Sequence, residues 1–207
     1  MKNLCLLFGL VFLSTSAFAV DGDAEAGKTK STTCAACHGS DGNSALNLNP
    51  KIAGQHAGYI LKQLKEFKLA ASTGGKEGRN NAVMNGMAMP LSEQDMKDLA
   101  VYFSSQELKI GETPEDVIEA GEALYRGGDA ERGITACIAC HGPNGGGMNL
   151  AGFPQIGGQH AAYTKQQLEM FRSGDRNNDL NEMMRNVASR LTDKDIDVLS
   201  KYLGGLH

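Results

Sequence analysis

The chain has 207 residues, with 24 acidic side chains against 20 basic ones and a formal net charge of −4. With no basic patch to follow a phosphate backbone, nucleic acid is excluded as a partner. Beyond the N-terminus no apolar run approaches the ~20 residues that a membrane span needs, so the expectation is a soluble, exported protein.

Residues 1–19 read as a secretory signal peptide: Lys2, an apolar run from Leu4 to Leu13, and the small-x-small cleavage site Ala17-Phe18-Ala19. Cys5 lies inside that segment, before the end of its apolar core, and is read as one of its apolar residues. The first predicted element after it is a weak helix over 23–33, containing Gly27.

Next comes Cys34-Ala35-Ala36-Cys37-His38-Gly39, which returns as Cys137-Ile138-Ala139-Cys140-His141-Gly142. Cys-x-x-Cys-His is the attachment signal for c-type haem. Two thiols three positions apart can add to the two vinyl groups of one porphyrin, with the adjacent imidazole placed beneath the iron. Two copies predict two covalent haem c groups, on Cys34 and Cys37 and on Cys137 and Cys140, with His38 and His141 as iron ligands. All four cysteines beyond residue 19 are thereby used.

A loop follows each motif, and then a second matched block: Pro50-Lys51-Ile52-Ala53-Gly54-Gln55-His56 against Pro154-Gln155-Ile156-Gly157-Gly158-Gln159-His160. Helices with Ile60, Leu64 and Phe67, and with Leu168 and Phe171, come next at helical spacing. Glycines end them, and polar loops with Arg79 and Arg176 follow. Beyond these loops the halves align at a constant offset of 100 residues. Ser92-x-x-Asp95 and Thr192-x-x-Asp195 form capping boxes before the terminal helix of each half. Between the halves lie a linker at 109–112 and a helix expected from Thr113 as cap and Pro114 in the first turn. Val117, Ile118, Gly121, Leu124 and Tyr125 share its apolar face. Gly27 and Gly121 occupy matching places, with close approach of another helix as one reason for them and simple tolerance as the other. The segment around Gly127–Gly133 has no counterpart before Cys34 and reads as a surface excursion.

A sixth ligand decides whether each iron is closed, and methionine is the usual choice in an electron carrier. The offset of 100 pairs Met84 with Met184, each eight residues before its capping residue. Met87 faces Val187 and Met89 faces Ser189. Met84 and Met184 are therefore the expected ligands, with Met87 the rival in the first half.

The order of helix, haem motif, Pro-x-x-Gly-Gln block, methionine loop and terminal helix, given twice, resembles the class I c-type cytochromes and, as a tandem, the dihaem cytochrome c4 family. The resemblance implies an all-α fold of two tandem class I cytochrome c domains, 20–109 and 110–207, related by a pseudo-twofold axis. It implies His38 and Met84 on one iron and His141 and Met184 on the other. The carbonyls of Pro50 and Pro154 would accept the remaining imidazole N–H of each histidine. Gln55, Tyr59, Arg79, Gln159, Tyr163 and Arg176 are placed near haem propionates, whereas His56 and His160 read as surface residues.

By the same resemblance the function is electron transfer without catalysis, in the periplasm, from a quinol–cytochrome c reductase to a terminal oxidase or other periplasmic acceptor. It also allows peripheral association with the periplasmic face of the membrane. A dihaem peroxidase is disfavoured by the matched methionines and the short chain, and a zinc protein by histidines placed directly after each cysteine pair. Residues 20–110 carry 10 basic and 10 acidic side chains and residues 111–207 carry 9 and 14. The more acidic half is therefore expected to hold the lower potential.

Overall fold

The computed structural model describes residues 20–207, so the signal peptide expected over residues 1–19, with Cys5, lies outside the described residues. Each half begins with a helix, α1 (Ala24–Lys30) in the first and α6 (Glu115–Gly127) in the second. The haem motifs form single turns, α2 (Ala35–His38) and α7 (Ile138–His141). Long helices α3 (Ala57–Thr73) and α8 (Ala161–Ser173) follow, each ended by a left-handed glycine, Gly74 or Gly174. Short helices α4 (Ala82–Ala88) and α9 (Met183–Ala188) carry the methionines. The halves close with α5 (Glu93–Ser104) and α10 (Asp193–Gly204). Among the described residues there is no strand, only isolated bridges at Asp129–Ile134 and Met148–Phe153.

The terminal helices are the centre of each half. Their starts are fixed locally, because the Ser92 and Thr192 hydroxyls accept the N–H of Asp95 and Asp195, whose carboxylates accept the cap N–H in return. Leu99, Ala100, Tyr102 and Phe103 of α5 join Ile60 in the first core. Ile196, Leu199, Tyr202 and Leu203 of α10 join Leu124, Tyr125, Ile134, Leu191 and Leu206 in the second, larger one.

The first helix of each half crosses the last at a glycine. A Cβ on Gly27 would lie 2.2 Å from the Asp98 carbonyl oxygen, and one on Gly121 would lie 2.5 Å from the Tyr202 Cβ. Close approach of a second helix, rather than tolerance, is the reason for both.

Several sequence expectations are corrected. Thr113 does not cap α6: its hydroxyl donates to the Tyr202 carbonyl at 2.9 Å, and Pro114 stands at the N-cap with no side-chain hydrogen bond. The end of α10 supplies an orphan carbonyl that outcompetes local capping. Ile118 is exposed, unlike Val117, Leu124 and Tyr125 on the same helix. Nor is the extra segment before Cys137 only a surface excursion. It is tied down by two Asp129–Ile134 backbone bonds and by Arg132, which binds Asp195 through Nη1 at 2.6 Å, and it delivers Ile134 to the core.

In the first half α1 is held by a polar anchor. Asp98, 2% exposed, accepts the Asp23 N–H at 2.8 Å, the Lys30 ammonium at 2.5 Å and the Gln94 amide at 2.8 Å. The Asp23 N–H and then Lys30 hold its carboxyl below the ordinary value of 3.8. A lowered folded-state pKa means that this stabilisation is complete above the unfolded value and is lost as pH falls through the lower folded one. Asp98→Asn is therefore expected to weaken α1 docking by about 1.5–3 kcal/mol at pH 7, with the difference from wild type vanishing in acid. Amide exchange of Gly27 and Ser31 across that pH range checks it.

Candidate haem sites

In α2 and α7 both cysteines and the histidine fall within one helical turn. Gly42 and Gly145, both at positive φ, then turn the chain so that one carbonyl accepts two N–H groups of the proline block: Gly42 from Ile52 and Ala53, Gly145 from Ile156 and Gly157. At the far end of the block the Gly54 N–H donates to the Phe103 carbonyl and the Gly158 N–H to the Leu203 carbonyl. The block is thus strapped between the motif loop and the terminal helix, and its proline faces the histidine.

The His38 Nδ1 lies 2.9 Å from the Pro50 carbonyl and the His141 Nδ1 2.9 Å from the Pro154 carbonyl. A carbonyl can only accept, so each Nδ1 carries the proton and each neutral ring has its lone pair on Nε2. Neither Nε2 has a hydrogen-bond partner among the described residues. Burial pushes both imidazoles below their ordinary pKa, against the smaller opposing effect of the proline carbonyl. Both therefore stay neutral and able to ligate. A tyrosine hydroxyl braces each motif from a different helix: Tyr102 of α5 donates to the Ser40 carbonyl at 2.8 Å, Tyr125 of α6 to the Gly142 carbonyl at 2.5 Å.

Met84 and Met184 lie half-buried on α4 and α9, which pack on α3 and α8 rather than carrying the histidines. The two loops reach this register differently. Asn81 caps α4 by accepting the Met84 N–H at 3.0 Å, whereas α9 follows two left-handed residues, Asn181 and Glu182. Asp179 holds the second loop by accepting from the Arg185 N–H and guanidinium at 3.0 and 2.7 Å.

Between the halves is a cationic cluster. Arg79 donates to Gln63 and Gln167 and to the Tyr163 hydroxyl, and Arg176 donates to the same two glutamines and to the Tyr59 hydroxyl. The guanidinium carbons stand 4.8 Å and 4.4 Å from the ring centroids of Phe67 and Phe171. Burial alone would raise the Tyr59 phenol, but the two arginines and Lys62 leave it below its ordinary value. Neither arginine has a carboxylate partner among the described residues. One buried and one half-buried cation need anions nearby, and the anionic edges of two porphyrins would meet that need. Together with paired thiols and a neutral, Nε2-directed imidazole in each half, the donor set fits two covalently held haems.

The expectation for the other polar residues changes. Gln55 and Gln159 bind the backbone of the opposite half instead of lying free for propionates, as described below. His56 and His160 are not surface residues: both are half-buried, and the His160 Nε2 lies 2.8 Å from the Ser44 carbonyl across the interface. The His56 Nε2 is buried with no protein partner among the described residues.

Comparison with known proteins agrees with this geometry. The cytochrome c family model matches residues 24–107 and again 118–207. Cytochrome c4 of Stutzerimonas stutzeri is 49% identical over 210 residues, covering 100% of this chain and 98% of that protein. A thiosulfate dehydrogenase electron acceptor of Thiomonas intermedia is 38% identical over 179 residues, covering 84% and 78%. The crystal structure of reduced recombinant cytochrome c4 from Pseudomonas stutzeri superposes with a TM-score of 0.87 at 50% identity, covering 90% of this chain and 100% of that one. The chain belongs to the cytochrome c4 family of dihaem electron-transfer proteins, with two cytochrome c domains and two covalently bound haem c groups.

Proposed function

We propose that the chain carries electrons in the periplasm from a quinol–cytochrome c reductase to a terminal oxidase or another periplasmic acceptor, after removal of residues 1–19. The observation that carries this reading is the twofold occurrence of one unit, a buried neutral histidine tied by Nδ1 to a proline carbonyl at 2.9 Å. A ring fixed in this way is suited to hold an iron in both oxidation states with little rearrangement. Haem iron supplies one-electron chemistry when bound. The protein contributes ligands, low dielectric and orientation.

In this reading Cys34 and Cys37 would hold one haem and Cys137 and Cys140 the other, and His38 with Met84, and His141 with Met184, would ligate the irons. The domains are 20–109 and 110–207, joined at the Lys109–Glu112 linker. Arg79, Arg176, Tyr59 and Tyr163 would supply the positive charge and hydroxyl groups that hold the propionates between the domains. An electron can then enter at one domain and leave from the other.

A second donor is favoured by one comparison: the Thiomonas relative carries the name thiosulfate dehydrogenase electron acceptor. The test is an optical spectrum of mature protein exported to the periplasm, with haem quantified as the pyridine haemochrome, followed by mixing with candidate partners. Two haems per chain, a sulfur-to-iron band at full strength and rapid oxidation by a terminal oxidase are expected. A high-spin spectrum with ready cyanide binding would overturn the carrier reading. Reduction by thiosulfate dehydrogenase but not by the quinol reductase would move the donor.

A further inference from the structure

The glutamine of each proline block reaches across the interface. The Gln159 Oε1 accepts the Lys51 N–H at 2.9 Å and its Nε2 donates to the Lys51 carbonyl at 2.8 Å. Reciprocally, the Gln55 Oε1 accepts the Gln155 N–H at 3.0 Å and its Nε2 donates to the Gln155 carbonyl at 2.8 Å. Each oxygen also accepts the N–H of the residue after its own glutamine, His160 or His56, at 3.0 Å. Both amides are therefore held at the oxygen from two sides.

The Lys51 N–H and the Pro50 carbonyl belong to one peptide group, as do the Gln155 N–H and the Pro154 carbonyl. A continuous chain of hydrogen bonds thus runs from His38 Nδ1 through the Pro50–Lys51 peptide to Gln159 of the other domain. A second runs from His141 through the Pro154–Gln155 peptide to Gln55. Donating its N–H polarises a peptide and makes its carbonyl a better acceptor, and in a low-dielectric interface such chains strengthen cooperatively.

We propose that Gln159 and Gln55 are crossed positioning residues: each tunes, through a shared peptide group, the axial histidine of the domain it does not belong to. The proposal rests on His38 and His141 being the iron ligands. Gln159 makes the Pro50 carbonyl draw harder on the His38 Nδ1 proton. His38 thereby becomes a stronger donor to iron, which favours the ferric state of the first haem. Gln55 does the same for the second. The arrangement makes the separation between the two potentials a property of the interface, so a partner that shifts one domain against the other alters both centres.

The experiment uses mature, reduced two-domain holoprotein labelled with 15N-histidine, assigned domain by domain through proximity to Pro50 or Pro154. It is combined with potentials of the two haems resolved by NMR-monitored titration. Gln159→Met is expected to move the His38 ring N–H signal and the Lys51 amide while leaving His141 in place. It should also raise the first haem's potential by a three- to tenfold change in its reduction constant, about 28–59 mV for one electron. Gln55→Met should give the mirror image at His141 and Gln155. Gln159→Glu, which keeps an acceptor for the Lys51 N–H and adds negative charge, should put the first haem at or below its wild-type potential. A change confined to the glutamine's own domain, an equal change in both, or no change would overturn the proposal. If wild-type protein lacked ring-current-shifted axial histidine signals, the ligand reading itself would fall before any variant was compared.

Discussion

Met184→Ala is expected to abolish the sulfur-to-iron band of one haem, open that iron to cyanide, and lower its potential by on the order of 0.1 V or more. Met84→Ala should do the same to the other. A thioether is a soft donor that favours the ferrous state, so its loss leaves the iron with histidine and water and favours the ferric one. The neighbouring methionines supply the controls. Met183→Ala and Met87→Ala should retain both bands, since Met183 is offset from Val83 and Met87 from Val187. Met87 and Met89 are also exposed, at 38% and 50%, whereas Met84 and Met184 are half-buried on matched helices. Spectra and cyanide titrations of the four variants check the assignment. Loss of a band in Met87→Ala with Met84→Ala intact would move the first ligand by one helical turn.

Features whose causes lie within a few residues were readable in advance. The capping boxes at Ser92 and Thr192 formed because donor and acceptor are three positions apart, and each carboxylate has lone pairs enough to take Lys30 or Arg132 as well. The histidine-to-proline bonds were expected from family resemblance, and the strap that makes them, through the Gly42 and Gly145 carbonyls, is local as well. Thr113 failed as a cap because a carbonyl 89 residues away took its hydroxyl. Gln55 and Gln159 carried only a repeated Gly-Gln pair as a signal, and nothing local says that their partners lie 100 and 108 residues away. Arg79 and Arg176 were singled out as repeated loop cations. Their meeting on the same two glutamines depends on how the domains dock.

The cluster of Arg79 and Arg176 and the crossed glutamines act on the same interface with opposite character. Two guanidinium groups sharing Gln63 and Gln167 repel one another and call for anions between the domains. The glutamine clamps join neutral backbone to neutral amide and need nothing further. The clamps are therefore the part of the interface that does not depend on charge, whereas the arginine cluster would respond to the anionic edges of the cofactors. With the proposed propionates on the arginines, this division of labour would let a change of oxidation state be felt across the interface without taking it apart.

Gly27→Val and Gly121→Val are expected to be the most damaging single substitutions for folding, each costing about 3 kcal/mol or more, at or beyond the top of the usual range for overpacking. Each places a β-branched side chain where a single Cβ already collides. At Gly27 that carbon would sit 2.2 Å from the Asp98 carbonyl oxygen and 2.7 Å from the Tyr102 Cβ; at Gly121 it would sit 2.5 Å from the Tyr202 Cβ and 2.6 Å from its Cγ. None of these atoms is the far end of a flexible chain, so the helices themselves must separate. The consequences differ between domains. Separating α1 from α5 also pulls Asp23 and Lys30 off Asp98, so Gly27→Val loses a buried carboxylate's partners together with the packing. Separating α6 from α10 breaks the Tyr125–Tyr202 contact, with centroids 5.8 Å apart, and loosens Tyr125, whose hydroxyl braces the second haem motif through Gly142. Denaturant unfolding of the holoprotein followed at the haem band should therefore show an early transition in both variants. Only Gly121→Val should also perturb the second haem's spectrum below that transition. A Gly27→Val protein as stable as wild type would mean that the two helices are not in contact at that residue.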